Sequence, residues 1–154
     1  MLKRLLPRQA DNTYRGYRAA LWLFGALVLL KSLVSLSSIF DGRDVAVSAD
    51  GIPLDAFTPA GAQAVVAAFA AWGLAQLTVC LLGVLILARY RSLVPFMFAL
   101  LLLEHLGRRL LFQLMPVAGT GTPPGFFVNL IILALMVAGL SLSLWNRERL
   151  QAKG

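Results

Sequence analysis

Charge is scarce in this chain, and so are the side chains that disulfides and most metal sites need. Only 14% of its 154 residues are charged while 59% are hydrophobic, against about a quarter charged and half apolar in an ordinary soluble domain. A water-facing surface cannot be made from so little polarity, which excludes a soluble enzyme, a disulfide-stapled mini-protein and a disordered chain. The single cysteine, Cys80, lies inside an apolar run, so neither an intrachain disulfide nor a cysteine-based zinc site is open to it. One histidine, His105, cannot make the His-rich metal centre of a membrane hydroxylase. No Ser-x-x-Lys or Gly-x-Ser-x-Gly nucleophile motif occurs either. The reading therefore expects no cofactor and no metal.

What is present is apolar length. Four runs, at 19–40, 59–88, 93–115 and 125–145, are long enough to cross a bilayer, which takes about 20 residues at about 1.5 Å each. The expected fold class is an all-α membrane protein: one domain over 1–154, with four transmembrane helices in an antiparallel bundle. Thr58 followed by Pro59 reads as a helix cap with a first-turn proline, and Arg89-Tyr90-Arg91 as the end of that helix. The short interval before the third run makes the second and third antiparallel neighbours. Gly119-Thr120-Gly121-Thr122-Pro123-Pro124 cannot continue a helix into the fourth. The first run is longer than the apolar core of about 7–15 residues in a secretory signal, so it is read as a retained span despite the Val47-Ser48-Ala49 triplet behind it. In the outer loop, 41–58, Val45-Ala46-Val47 and Ile52-Pro53-Leu54 flank Asp50-Gly51 in the pattern of a small hairpin. Asp41-Gly42-Arg43-Asp44 lacks the regular acidic spacing and closing Glu of a calcium loop.

Basic residues set the orientation. Lys3, Arg4, Arg8, Arg15 and Arg18 precede the first run, Arg89 and Arg91 separate the second and third, and Arg147, Arg149 and Lys153 follow the fourth. The opposite side has Arg43 beside Asp41, Asp44, Asp50 and Asp55. The positive-inside rule then puts both termini in the cytoplasm, in what is expected to be a bacterial inner membrane. The net charge of +7 is a topology signal and not a nucleic-acid footprint, although residues 1–18 suit contact with anionic lipid headgroups. Alanines four apart (Ala60, Ala64, Ala68; Ala67, Ala71, Ala75) and the pairs Ala134/Ala138 and Gly139/Ser143 let helices approach closely in lipid, either within the bundle or against another copy or a larger complex.

The third run contains the anomaly: Glu104, His105, Arg108 and Arg109 within six positions. An unpaired charge near the middle of a membrane helix costs about 2.5–3.5 kcal/mol. At about 100° per residue all four share one face, which must turn inward or toward water. Counting from the basic flanks puts Lys31, Gln76 and Glu104 at similar depth, so Lys31 and Glu104 are expected to pair, with Gln76 and His105 in the same polar layer. Arg108, Arg109, Gln113, Asn129 and the Ser35/Ser38 continuation of the Lys31 face lie further outward. The expectation is a polar chamber that widens outward, with three cations set against Glu104 and two left to be balanced by outer-loop aspartates folded down as a lid, by lipid phosphates, or by an anionic ligand.

Three functional readings follow. In the first, a non-catalytic protein binds an anionic lipid headgroup or quinone-like amphiphile through Lys31, Gln76, Glu104, His105, Arg108, Arg109, Gln113 and Asn129, as an accessory subunit of a membrane complex. In the second, an intramembrane enzyme uses Glu104 and His105 as proton donor and acceptor. In the third, an oligomeric pore lined by Arg108 and Arg109 selects anions. A transporter has no internal repeat to support it.

Overall fold

A computed structural model describes residues 5, 7, 9–115 and 124–145. Among them there are helices and turns but no strands. Four long helices carry the fold: α1 (Arg18–Phe40), α2 (Pro59–Arg89), α3 (Val94–Leu114) and α4 (Gly125–Leu144). Helices α1, α2 and α4 are long and apolar enough to cross a membrane, at mean hydropathies of 2.0, 2.1 and 2.4. Helix α3 is of similar length, but every 18-residue stretch of it contains Glu104, Arg108 and Arg109, which takes it out of that class by composition.

Local chemistry starts and stops these helices as the residue pattern requires. Thr58 Oγ1 accepts the Gly61 amide at 3.2 Å and Pro59 occupies the first turn of α2, satisfying one orphan donor and removing another. A 3-10 turn at Arg91–Leu93 reverses the chain, and Pro95 sits in the first turn of α3. Asp11 clamps this turn: its amide donates to Ser92 Oγ (3.0 Å) and its carbonyl accepts from Ser92 Oγ (2.9 Å). Tyr17 N donates to the Leu142 carbonyl at 3.3 Å. The segment before α1, the α2/α3 turn and the far end of α4 therefore meet at one end of the bundle, with Arg15, Arg18, Arg89 and Arg91. We call this the basic end. Lys3, Arg4, Arg8, Arg147, Arg149 and Lys153 lie outside the described residues, as does the Gly119–Pro123 interruption.

The opposite, loop end differs from the sequence expectation. No hairpin forms over 45–54. Instead one helical turn, Gly42–Asp44, runs into a wider π-helical turn, Val45–Ala49, closed by Asp50 N donating to the Val45 carbonyl (3.1 Å). Gly51, at φ 68°, then reverses the chain, a conformation that costs glycine little. A 3-10 turn follows at Leu54–Ala56. The helical course buries Ala46 against Leu54 and Ala62, with Ile52, Val65, Val66 and Phe69 packed around them, whereas an isolated two-stranded hairpin would leave both edges unpaired.

Packing order also departs from expectation. Helix α1 packs along α2 and against α4, and α3 docks mainly on α4; α2 and α3 share a tight turn without lying along one another. The alanine series of α2 is not the close-approach face. All six alanines are exposed, and the buried face is Gly73, Gln76, Cys80, Gly83 and Ile86. At about 100° per residue the alanines fill one sector and the buried set an adjoining one, centred roughly 130° away. Glycine wins at the crossings because even a methyl is too large there: a Cβ on Gly73 would lie 2.8 Å from the Ser35 carbonyl oxygen, and one on Gly83 would lie 3.0 Å from Val28. In α4, Ala134 and Ala138 are exposed, while Gly139 seats the Phe98 ring and Ser143 is buried. Phe98 in turn meets Phe24 edge to face at 5.2 Å, and Met97, Leu101, Val28 and Met136 complete the core.

Candidate functional site

The polar residues gather between this core and the loop end. Lys31 Nζ donates to Glu104 Oε2 at 3.0 Å, joining α1 to α3, and the expected pair is therefore formed. The Lys31 side chain is 8% exposed and that of Glu104 31%. Arg108, one turn along α3, puts Nε 3.8 Å from Glu104 Oε1, so the carboxylate lies between two cations. Arg108 reaches further: a terminal nitrogen donates to Asn129 Oδ1 on α4 at 3.0 Å, and the guanidinium stacks 4.8 Å from the Trp72 ring centroid on α2. One arginine thus ties α2, α3 and α4 together where α2 and α3 would otherwise stand apart. A guanidinium suits this task because its planar fork can stack and donate at once.

Beyond Arg108 lies a cavity of about 430 Å³, within the range of small-ligand sites. Helix α3 contributes His105, Arg108, Arg109, Phe112 and Gln113, α4 contributes Phe126 and Asn129, and Phe69 reaches in from α2. The loop closes it with Asp50 and Ile52. The π-helical turn and Gly51 place those two residues there. The backbone of Ala49 rests against Gly125, where a Cβ would meet the Ala49 carbonyl oxygen at 2.6 Å, so the loop and the start of α4 are in direct contact.

The eight residues expected to form one chamber divide between two spaces. His105, Arg108, Arg109, Gln113 and Asn129 line the large cavity. Lys31 and Gln76 line a separate void of about 20 Å³ with Ser35 and Trp72, which is room for about one water. Glu104 lies between, held by Lys31 and Arg108. The outward continuation through Ser35 and Ser38 is not a polar wall of the cavity, because both hydroxyls turn back to their own helix: Ser35 Oγ donates to the Lys31 carbonyl (2.7 Å) and Ser38 Oγ to the Val34 carbonyl (3.0 Å).

The two arginines also prove unequal. Arg108 is partly buried and engaged on three sides, whereas Arg109 is exposed, stacks 5.7 Å from the Phe126 ring centroid and has no acidic partner among the described residues. Of the loop aspartates, Asp50 lines the same cavity as Arg108, without an ion pair between them. Burial raises its carboxyl above the usual value of 3.8 and the Arg108 charge partly opposes that rise. Asp55 instead pairs with Arg43 at 3.3 Å on the surface, where such a bond contributes little. Three side-chain atoms of this polar layer are buried without a hydrogen-bond partner: His105 Nδ1, Gln76 Oε1, and Arg108 Nε, which faces Glu104 Oε1 at 3.8 Å.

Sequence reasoning did not single out Trp72, Phe69, Phe112 or Phe126 as part of the site. The signal was there in helical spacing: Trp72 is one turn from Gln76, Phe112 one turn from Arg108, and Phe126 one turn from Asn129. Compared with models of protein families, with curated proteins and with solved structures, the chain matches none.

Proposed function

We propose that this is a polytopic membrane protein whose four long helices all cross the bilayer, with the basic end in the cytoplasm, and whose loop-end cavity holds the anionic headgroup of an amphiphile. The observation that carries the reading is the cavity wall itself: Arg109 lines it with no acidic partner among the described residues, beside Gln113, Asn129 and three aromatic rings. A cation left without a counter-charge on a largely apolar wall favours an anion that enters beside it. Phosphate or carboxylate oxygens suit arginine forks, and the rings of Phe69, Phe112 and Phe126 suit the apolar part of the same molecule.

Support for α3 as a span comes from its partners. Two of its three charges, Glu104 and Arg108, are met by Lys31, Asn129 and Trp72 within the bundle, which lowers the cost of placing them in lipid. Orientation follows from the clustering of Arg15, Arg18, Arg89 and Arg91 at the end opposite the loop aspartates. Glu104, with a cation on each oxygen, acts as a brace between helices; a helix also directs His105 about 100° away from it, which disfavours the pair as a preformed proton-transfer dyad.

Mass spectrometry of purified protein tests the cavity. Arg109→Gln should remove or weaken a co-purifying anionic amphiphile while leaving thermal stability near that of the wild type, because Arg109 makes no ion pair within the described fold. Arg108→Gln should lower both binding and stability. Identical ligand profiles for wild type and Arg109→Gln would sink the proposal.

A further inference from the structure

A second concavity lies at the basic end, on the outside of the bundle between α1 and α2. It is a groove of about 660 Å³ with Leu21, Gly25, Leu29 and Leu87 along it, and Arg18 and Arg91 at one end. Arg18 opens α1 and Arg91 follows α2, so both charges are at the same level. From Arg18 to Leu29 the groove follows α1 for roughly 16 Å at about 1.5 Å per residue, close to half of a hydrocarbon core of about 30 Å. Gly25 keeps its floor low: a Cβ there would meet only Leu87, at 3.4 Å.

Charge at the mouth is both available and held. Arg91 Nε donates to the Leu87 carbonyl at 3.0 Å, which keeps the guanidinium beside the groove. Neither Arg18 nor Arg91 has an ion-pair partner among the described residues. The acid described at this end, Asp11, turns its carboxylate to the Thr13 amide at 3.1 Å. Trp22, one turn beyond Arg18 and 80% exposed, stands where an indole meets the headgroup layer.

We infer that this groove is a binding site for one anionic phospholipid of the cytoplasmic leaflet, its phosphate between Arg18 and Arg91 and an acyl chain along Gly25 toward Leu29. Apolar length of one leaflet ending in two unpaired cations at headgroup depth matches that chemistry and no soluble anion needs the groove. The inference rests on the basic end being the headgroup level and is independent of the loop-end cavity.

Native mass spectrometry of the full chain in detergent, with phosphatidylglycerol or phosphatidylcholine of the same acyl chains added, tests it. One phosphatidylglycerol should be retained in preference to phosphatidylcholine. The Arg18→Gln/Arg91→Gln variant should weaken that retention roughly tenfold or more, the scale of two surface charges lost. Gly25→Leu should weaken it without altering charge, and Ala26→Leu, at an exposed position on the same groove, repeats the test should the first variant fold poorly. With Arg109→Gln also present, which removes the loop-end cavity's free charge, the preference for phosphatidylglycerol and its loss on the Arg18→Gln/Arg91→Gln change should both persist. Equal retention of the two lipids, or wild-type retention by a folded groove-filling variant, would overturn the site. Loss on Arg109→Gln alone would assign the lipid to the loop-end cavity and overturn this groove while leaving the other proposal standing.

Discussion

The half of the bundle nearer the basic end is closed by shape, and the half nearer the loop is closed by charge. In the first, Phe24 and Phe98 meet edge to face, Gly83 and Gly139 make room for them, and the residues around them are apolar. In the second, Lys31, Glu104, Arg108 and Asn129 bridge helices that leave a cavity between them. Apolar side chains in lipid gain little from meeting one another except through tight packing, so a shape-closed half must be dense. A polar bridge is directional and holds its helices at a distance, so space can remain beside it. The difference teaches where a ligand can enter: beside the bridges.

The comparison breaks most decisively at Glu104. Glu104→Gln strands Lys31, the more buried partner, and should destabilise by about 3 kcal/mol, the lower end of the range for a broken buried pair because the carboxylate is partly exposed. Lys31→Met should cost less, since Arg108 remains 3.8 Å from Glu104. The double variant should be milder than the sum of the singles. Unfolding in detergent measures all three, and additive losses would show that the pair does not couple.

Glycine substitutions sharpen the contrast with smaller effects. Gly139→Ala drives a methyl into the Phe98 ring and should destabilise by about 1–3 kcal/mol. Gly107→Ala, on the charged helix with nothing within 4 Å of the added carbon, should instead stabilise by about 0.5–1 kcal/mol through helix propensity. Equal effects at the two sites would mean that the tight and open halves are not different in packing.

The smallest expected effect is at the loop. Because burial raises the Asp50 carboxyl above 3.8, docking of the loop is unpenalised where the group is protonated in both docked and undocked states. That contribution is lost as pH rises through the raised value, since an ionised carboxylate must then be buried. Hydrogen exchange at amides 45–54, corrected for intrinsic rates, should therefore show weaker protection above that value than below it, and Asp50→Asn should flatten the dependence. A wild-type profile without pH dependence would show that burying the Asp50 carboxyl does not weigh on docking of the loop.

Much of the site was legible because charge in an apolar run is a loud signal. Counting residues from the basic flanks placed Lys31 and Glu104 at one depth, and they pair at 3.0 Å. Counting could not separate Arg108 from Arg109, since adjacent residues on a helix differ in direction, and direction is decided by which neighbour α3 docks on. The alanine series shows a related limit: spacing identifies a face but not what the face meets, and within this fold the glycine and glutamine face is the buried one.

Composition and pattern by themselves determined that the chain is helical, that long apolar runs in it suit a membrane, where helices begin at Thr58-Pro59 and turn at Arg89 to Arg91, and that the charges of α3 need partners. These are local or additive properties, readable along the chain because each depends on a residue and its near neighbours. Only the tertiary structure decided that α3 lies against α4, that the loop descends as a π-helical turn instead of a hairpin, that Asp50 is the loop aspartate lining the cavity with Arg108, and that the polar layer divides into a water-sized void and a ligand-sized cavity. Those outcomes depend on contacts between residues far apart in sequence, where a single glycine such as Gly125 or Gly139 sets how near two backbones come, and no periodicity along one segment records that distance.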